Sequence, residues 1–255
     1  MSIVAIFNQK GGVGKTTSAV NLAAALARRG RHPYGIDLDP QAQFSAISGV
    51  RAADGDATVL SLFQRNRPLR EMIVQTNNGG NIIPGHLELS KVDTLFGKGY
   101  NIVNRLNTAL RAENFVDQPQ PVLIDCSPLI GVLALNAIFA CQGVIVPVSA
   151  DHLSARAALQ TEKTLKALEV VLKHRVPRRF LLTRFDTRRR MAWEVHQMLE
   201  EHFGADVCRT KIAENVSLAE SPAYNMTVFE HAPNSRGAQD YDALLDELLA
   251  DGFIA

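Results

Sequence analysis

Lys10-Gly11-Gly12-Val13-Gly14-Lys15-Thr16-Thr17 follows the apolar run Ile3-Val4-Ala5-Ile6-Phe7 and opens an alanine-rich segment with helical spacing. A strand, a glycine loop, Lys-Thr and a helix form the arrangement that cradles nucleotide phosphates. Glycines at 11, 12 and 14 let backbone N–H groups, with that of Val13, approach phosphate oxygens without a Cβ in the way. The helix N-terminus behind them adds unpaired donors and partial positive charge. Lys15 is placed to reach the β- and γ-phosphates, and the Thr16 hydroxyl to ligate Mg²⁺. The ordinary form of this loop has Gly at position 9, whereas this chain has Gln9 followed by an extra lysine, Lys10.

Working outward, apolar runs alternate with helical patterns. Strands are expected at 3–7, Tyr34 to Leu38, Asn81 to Pro84, Pro121 to Asp125, Gly143 to Val148 and Arg179 to Thr183. Helices are expected at 16–29, 87–96, 100–113, 130–140, 153–174, 188–203 and 235–251, with Gly30 at the C′ position of the first. Residues 51–80 are the least regular, with a short helix around 58–64. Near-continuous runs such as Val122-Leu123-Ile124 suit a parallel sheet covered on both faces. The expected fold is α/β, a doubly wound, mainly parallel sheet with helices on both faces, as one domain over 1–255. Ligands of such sheets sit at the carboxyl ends of the strands.

Two of those ends carry acid. Ile36-Asp37-Leu38-Asp39-Pro40-Gln41 places two carboxylates at the end of the second strand, and Pro40 stops the ladder. Facing the phosphate site, they can order metal-bound or attacking water. Val122-Leu123-Ile124-Asp125 is an apolar strand ending in an acid, the arrangement that holds Mg²⁺ directly or through water.

Taken in this order, the three motifs resemble the ParA family of partition ATPases, particularly its short members, over nearly the whole chain. The likeness runs through Asn8 to Asn21, Asp37 to Gln41, Leu123 to Asn136, Asn215 to Pro222 and Ser235-Arg236-Gly237-Ala238. The Lys-Gly-Gly-x-Gly-Lys-Thr loop is the deviant form found in ParA and MinD proteins. The resemblance implies a P-loop ATPase binding ATP and Mg²⁺ and forming a face-to-face homodimer around nucleotide. Lys10 would reach the partner subunit's ATP phosphates, acting much as an arginine finger does. Asp39 would orient the attacking water and help order the metal. Thr16 and Asp125 would hold Mg²⁺, Thr17 would meet the α-phosphate, and Asn215 would lie near the adenine. The family's usual proline beside that asparagine is Ala213 here.

The family also implies nonspecific duplex DNA as a track, a ParB-like or cargo adaptor protein as partner, and a cytoplasmic, nucleoid-associated location. Between 173 and 190 the chain carries eight basic residues against one acid, Asp186, in a protein of net charge +1. Such segregation suits phosphate-backbone contacts. Arg188, Arg189, Arg190, Arg178 and Arg179 are the candidates, Arg188 matching an arginine used by short ParA proteins. One stretch departs: where those proteins read Pro-Arg-Asn-Val-Arg, this chain reads Ala213-Glu214-Asn215-Val216-Ser217.

Composition narrows the rest. With 255 residues and 46% hydrophobic content the chain can bury a large core. Cys126, Cys141 and Cys208 are widely spaced, with no metal-binding pattern, and suit reduced thiols. Cys126, beside the acidic strand end, reads as either a reactive thiol or a small buried filler. No run approaches the ~20 apolar residues of a membrane span, and no leader is expected before the first strand. A MinD-like membrane cycle would call for a basic amphipathic C-terminal helix, but 241–251 is acidic. A metabolic enzyme on the same fold is the other alternative; an iron-protein type would need paired cysteines to bridge a cluster between subunits.

Overall fold

Strands form where β-branched and apolar residues run on: β1 (Ile3–Ile6), β2 (Tyr34–Leu38), β3 (Val74–Gln75), β4 (Asn81–Ile83), β5 (Val122–Cys126), β6 (Gly143–Ser149) and β7 (Arg178–Thr183). The computed structural model describes residues 3–52, 54–97 and 99–254, so the domain limits expected at 1 and 255 lie outside it. The strands make one sheet in the order β3-β4-β2-β5-β1-β6-β7. All neighbours are parallel except β3, which runs antiparallel to β4.

Helices cover both faces, joined by several 3₁₀ turns. They are α1 (Lys15–Arg28), α2 (Gln43–Ile47), α3 (Leu60–Arg65), α4 (Val92–Phe96), α5 (Tyr100–Val103), α6 (Arg105–Ala112), α7 (Val132–Ala140), α8 (His152–Leu172), α9 (Arg190–Phe203), α10 (Val216–Glu220), α11 (Val228–His231) and α12 (Arg236–Ala250). Strand alternation divides the core. Ile3, Ala5, Ile36, Ile124, Val146 and Phe180 join the larger layer, packed with residues of α3 to α9. Val4, Ile6, Leu123, Ile145 and Leu181 join the smaller one with α1, α2 and the C-terminal helices. Every strand residue of β1, β5 and β6 is buried, as a sheet covered on both faces requires. The acidic α12 packs on this core through Tyr241, Leu244, Leu245 and Leu248.

The expected order of the long elements is present, with shifted ends and some breaks. The helix expected at 87–96 is a 3₁₀ turn, Leu87–Lys91, followed by α4. The one expected at 100–113 breaks at Asn104, whose backbone (φ −105°, ψ 6°) is not helical. The helix at 130–140 starts only at Val132, because Gly131 is extended. Gly30 follows the C-cap Arg29 at φ 73°.

What positions the site is the centre of the sheet. β5 lies between β1 and β2, whereas β6 flanks β1 on its other side. The chain thus passes from one side of β1 to the other, and the carboxyl ends of β1, β2 and β5 open onto the crevice where such sheets bind ligands.

Candidate functional site: a phosphate loop beside buried carboxylates

The loop after β1 turns sharply at Gly12 (φ 72°) and Gly14 (φ 91°), conformations that L side chains seldom adopt. No side chain caps α1, and its first turn holds no acid, so its N–H groups face the cleft unpaired and without competition from a carboxylate. The loop is braced from three sides. Thr183 Oγ1 at the end of β7 donates to the Val13 carbonyl at 2.9 Å. Asn8 Nδ2 donates to the Pro147 carbonyl at 2.8 Å, and Gln9 Nε2 to Thr164 Oγ1 of α8 at 3.0 Å.

Lys15 is buried, and its ammonium donates to the Lys10 carbonyl at 3.0 Å. Burial lowers its pKa, while Asp125 works in the opposite direction. Lys10 Nζ folds onto its own chain: it donates to Asp151 Oδ1 at 3.0 Å and Ser154 Oγ at 2.6 Å. Asp151 is the N-cap of α8. Partial burial works to raise its carboxyl, but hydrogen bonds from Ser154 and Lys10 outweigh that and hold it down at about 2.

Asp125 stands at the end of β5, in register with Asp37 of β2. It is fully buried. Burial and the neighbouring Asp37 push its carboxyl well above the usual range, with Lys15 opposing. The Thr16 hydroxyl stands beside it and eases the charge, yet neither carboxylate oxygen has a partner at hydrogen-bond geometry. Asp37 is better supported. It accepts from Ser45 N at 2.9 Å, Ser45 Oγ at 2.7 Å and Asp39 N at 3.2 Å. Burial nevertheless raises it to about 6. Asp39 stays at the rim, accepting from Gln41 N at 2.9 Å.

Two clefts meet over the loop. One, of 280 Å³, is lined by Gly11, Gly12, Gly14, Lys15, Thr16, Thr17, Asp39 and Arg184, among others. The other, of 330 Å³, is lined by Gly14, Thr17, Thr183, Arg184, Ala213, Asn215, Leu218 and Tyr241, among others. Asn215 caps α10 by accepting from Leu218 N at 3.3 Å, and its amide nitrogen is not spent on that contact. The structure therefore gathers Gly11, Gly12, Gly14, Lys15, Thr16, Thr17 and Asp39 around one cleft, with Asn215 in the adjoining one; Val13 and Asp125 are buried beside it, and Lys10 is turned onto Asp151.

The basic stretch is not one surface. The Arg178 side chain is 2% exposed and ion-paired to Glu162 at 2.8 Å and to Glu169, so it ties β7 to α8 and cannot meet DNA. Arg179 is 20% exposed; it pairs with Asp206 and Asp251 and lies over the Phe253 ring. Both are withdrawn from the expected DNA-contacting set, because β7 carries them into the body of the fold. Arg188, Arg189 and Arg190 are exposed, each with a nearby acid: Asp186, Asp186 with Glu214, and Glu194. Cys126 is buried, and its thiol is pushed well above its usual range by burial, which decides for the filler reading.

Sequence reasoning missed Asp151, Ser45 and the special place of Arg184. Asp151 and Ser45 act through contacts between distant segments, which no spacing reveals. Arg184 directly follows a parallel strand, and the strand-end rule applied to β7 would have found it.

An AAA domain family model matches residues 1–177. The chromosome-partitioning ATPase Soj of Thermus thermophilus is 38% identical over 248 residues, 97% of this chain and 95% of that protein. The chain belongs to the Soj/ParA family of chromosome-partitioning ATPases. The chromosome partitioning protein ParA of Caulobacter vibrioides is 32% identical, covering 98% of this chain and 94% of the other. Among solved structures, cobyrinic acid a,c-diamide synthase of Mycobacterium smegmatis, with bound ATP analogue and magnesium, superposes with a TM-score of 0.83. It is 26% identical, over 98% of this chain and 95% of that one. A synthetase thus shares the ParA architecture, and the fold alone does not choose between them.

Proposed function

We propose that this chain is a Mg²⁺-dependent ATPase whose ATP-bound homodimer rides on nonspecific DNA and positions a cargo. A ParB-like or adaptor protein stimulates its hydrolysis. The observation that carries the reading is Asp125: a fully buried carboxylate without a hydrogen-bond partner, at the foot of a phosphate loop and beside Lys15. An orphaned buried acid is costly unless a cation answers it. Among the described residues no three His, Cys, Asp or Glu side chains converge on a metal. A cation here would draw on Thr16, Asp125, water and nucleotide phosphates, the mixed shell that Mg²⁺ prefers. Bound there, Mg²⁺ neutralises charge on the phosphate oxygens.

The remaining roles follow from position. Lys15 and the loop N–H groups hold the phosphates. Asp39, on the rim of the same cleft, orients the attacking water. Lys10 is held by an ion pair whose side chains are 31% and 33% exposed, worth only about 0–1 kcal/mol. A triphosphate across a dimer interface competes readily for it. Leu129, in the loop after β5, and Leu153, beside Asp151, are 75% and 68% exposed, as residues awaiting a second subunit would be. Arg188, Arg189 and Arg190 remain as the DNA-facing group. Among the described residues no helix is long and apolar enough to cross a membrane.

Steady-state phosphate release with Mg²⁺, compared with the same assay in EDTA and with Lys15→Ala, tests the reading. Turnover that needs both Mg²⁺ and Lys15 supports it. A wild-type chain that binds no adenine nucleotide refutes it.

A further inference from the structure

Arg184 is the one basic residue of the 173–190 stretch that lines the nucleotide clefts. Among the described residues, only Gly14, Thr17 and Arg184 line both the phosphate cleft and the adjoining one. Its backbone is left-handed (φ 51°), a conformation rarely adopted by residues with a long side chain. The segment around it is pinned: Thr183 Oγ1 donates to the Val13 carbonyl, Ala150 N to the Thr183 carbonyl, and Phe185 N to the Ile212 carbonyl. Strained backbone held by its surroundings in this way is characteristic of ligand-handling positions. Among the described residues no carboxylate pairs with Arg184, whereas Arg188, Arg189 and Arg190 are each paired.

We infer that Arg184 is a nucleotide ligand, its guanidinium meeting the α-phosphate where the phosphate and base clefts join. The inference rests on the nucleotide-binding reading and adds to it a residue outside the phosphate loop. With the phosphates on the loop and the base in the adjoining cleft, the α-phosphate falls at their junction, over Gly14 and Thr17. A planar fork of N–H donors on a rigid strand end suits that anion. The α-phosphate is common to ADP and ATP. Arg184 therefore strengthens both nucleotide states equally and leaves the switch between them to Lys10 and Asp39.

The test is isothermal titration calorimetry with Mg²⁺ and either ADP or a nonhydrolysable ATP analogue, on wild type, Arg184→Ala, Arg184→Gly and Lys15→Ala. Glycine suits φ 51° and alanine leaves the backbone as it is, so both Arg184 variants should melt no lower than wild type without nucleotide. Both should bind each nucleotide about tenfold more weakly, the worth of one charge-assisted hydrogen bond. Affinity within twofold of wild type in either variant overturns the inference, as does a loss confined to the ATP analogue. Wild type that does not bind, or Lys15→Ala that binds like wild type, overturns the nucleotide reading itself.

Discussion

Replacing Asp125 with Asn separates stability from function. Asp125 and Asp37 are register partners on neighbouring strands, both fully buried. Burial lifts Asp37 from 3.8 to about 6 despite its Ser45 hydrogen bonds. That rise corresponds to about 3 kcal/mol lost at neutral pH. Asp125 has no hydrogen bond of its own, and an unsatisfied buried polar group costs about 1–3 kcal/mol. Asn removes the charge but brings an amide that needs partners, so recovery of about 2 kcal/mol is expected. For a domain of this size that raises melting by roughly 4–8 °C. Both carboxyls are raised, so the native state holds protons that the unfolded chain has released. Stability is therefore lost as pH rises from about 4, through about 6 for Asp37 and beyond it for Asp125, whose share the Asn variant escapes. Differential scanning calorimetry in EDTA at the two ends of that window and at neutral pH measures this. Adding Mg²⁺ and a nonhydrolysable ATP analogue should then raise the melting of wild type but barely that of the variant. An Asn variant that melts below wild type in EDTA at neutral pH, or that gains as much from Mg-nucleotide, refutes the reasoning.

The Lys10→Ala variant should bind nucleotide nearly as wild type does but neither dimerise nor turn over; size-exclusion chromatography with the ATP analogue reads this directly. Asp39→Ala should bind ATP, stall before hydrolysis and accumulate as dimer, since only the water-orienting group is gone; unchanged phosphate release would rule that role out. Reversing Arg188, Arg189 and Arg190 to Glu should abolish DNA retention in filter binding while ATP-driven dimerisation persists, and wild-type binding should fall with salt at a log–log slope of about −0.9 per phosphate neutralised.

Much of this site was legible because its chemistry is local in sequence. The loop from Lys10 to Thr17 and the acids at 37, 39 and 125 each announce themselves within a few residues, and parallel-sheet topology brings the strand ends together. The basic stretch misled for the opposite reason. In a linear reading Arg178 and Arg188 carry equal weight. In the fold, Arg178 sits under α8 against Glu162 and Glu169, and Arg188 projects from a loop. Those glutamates are 16 and 9 residues away on a preceding helix, and only packing decides that they face β7. Glu214, read as a lost arginine, proves to be a partner for Arg189. The short elements α2, α10, α11 and β3 escaped notice because two to five residues hold too few periods to show a pattern.

If nucleotide governs pairing of two copies across the Lys10 face, sedimentation velocity will show it. With Mg²⁺ and a nonhydrolysable ATP analogue the wild-type chain should sediment as a dimer, and with Mg²⁺ and ADP at the same protein concentration as a monomer. The same oligomeric state under both nucleotides, whichever it is, would contradict the account.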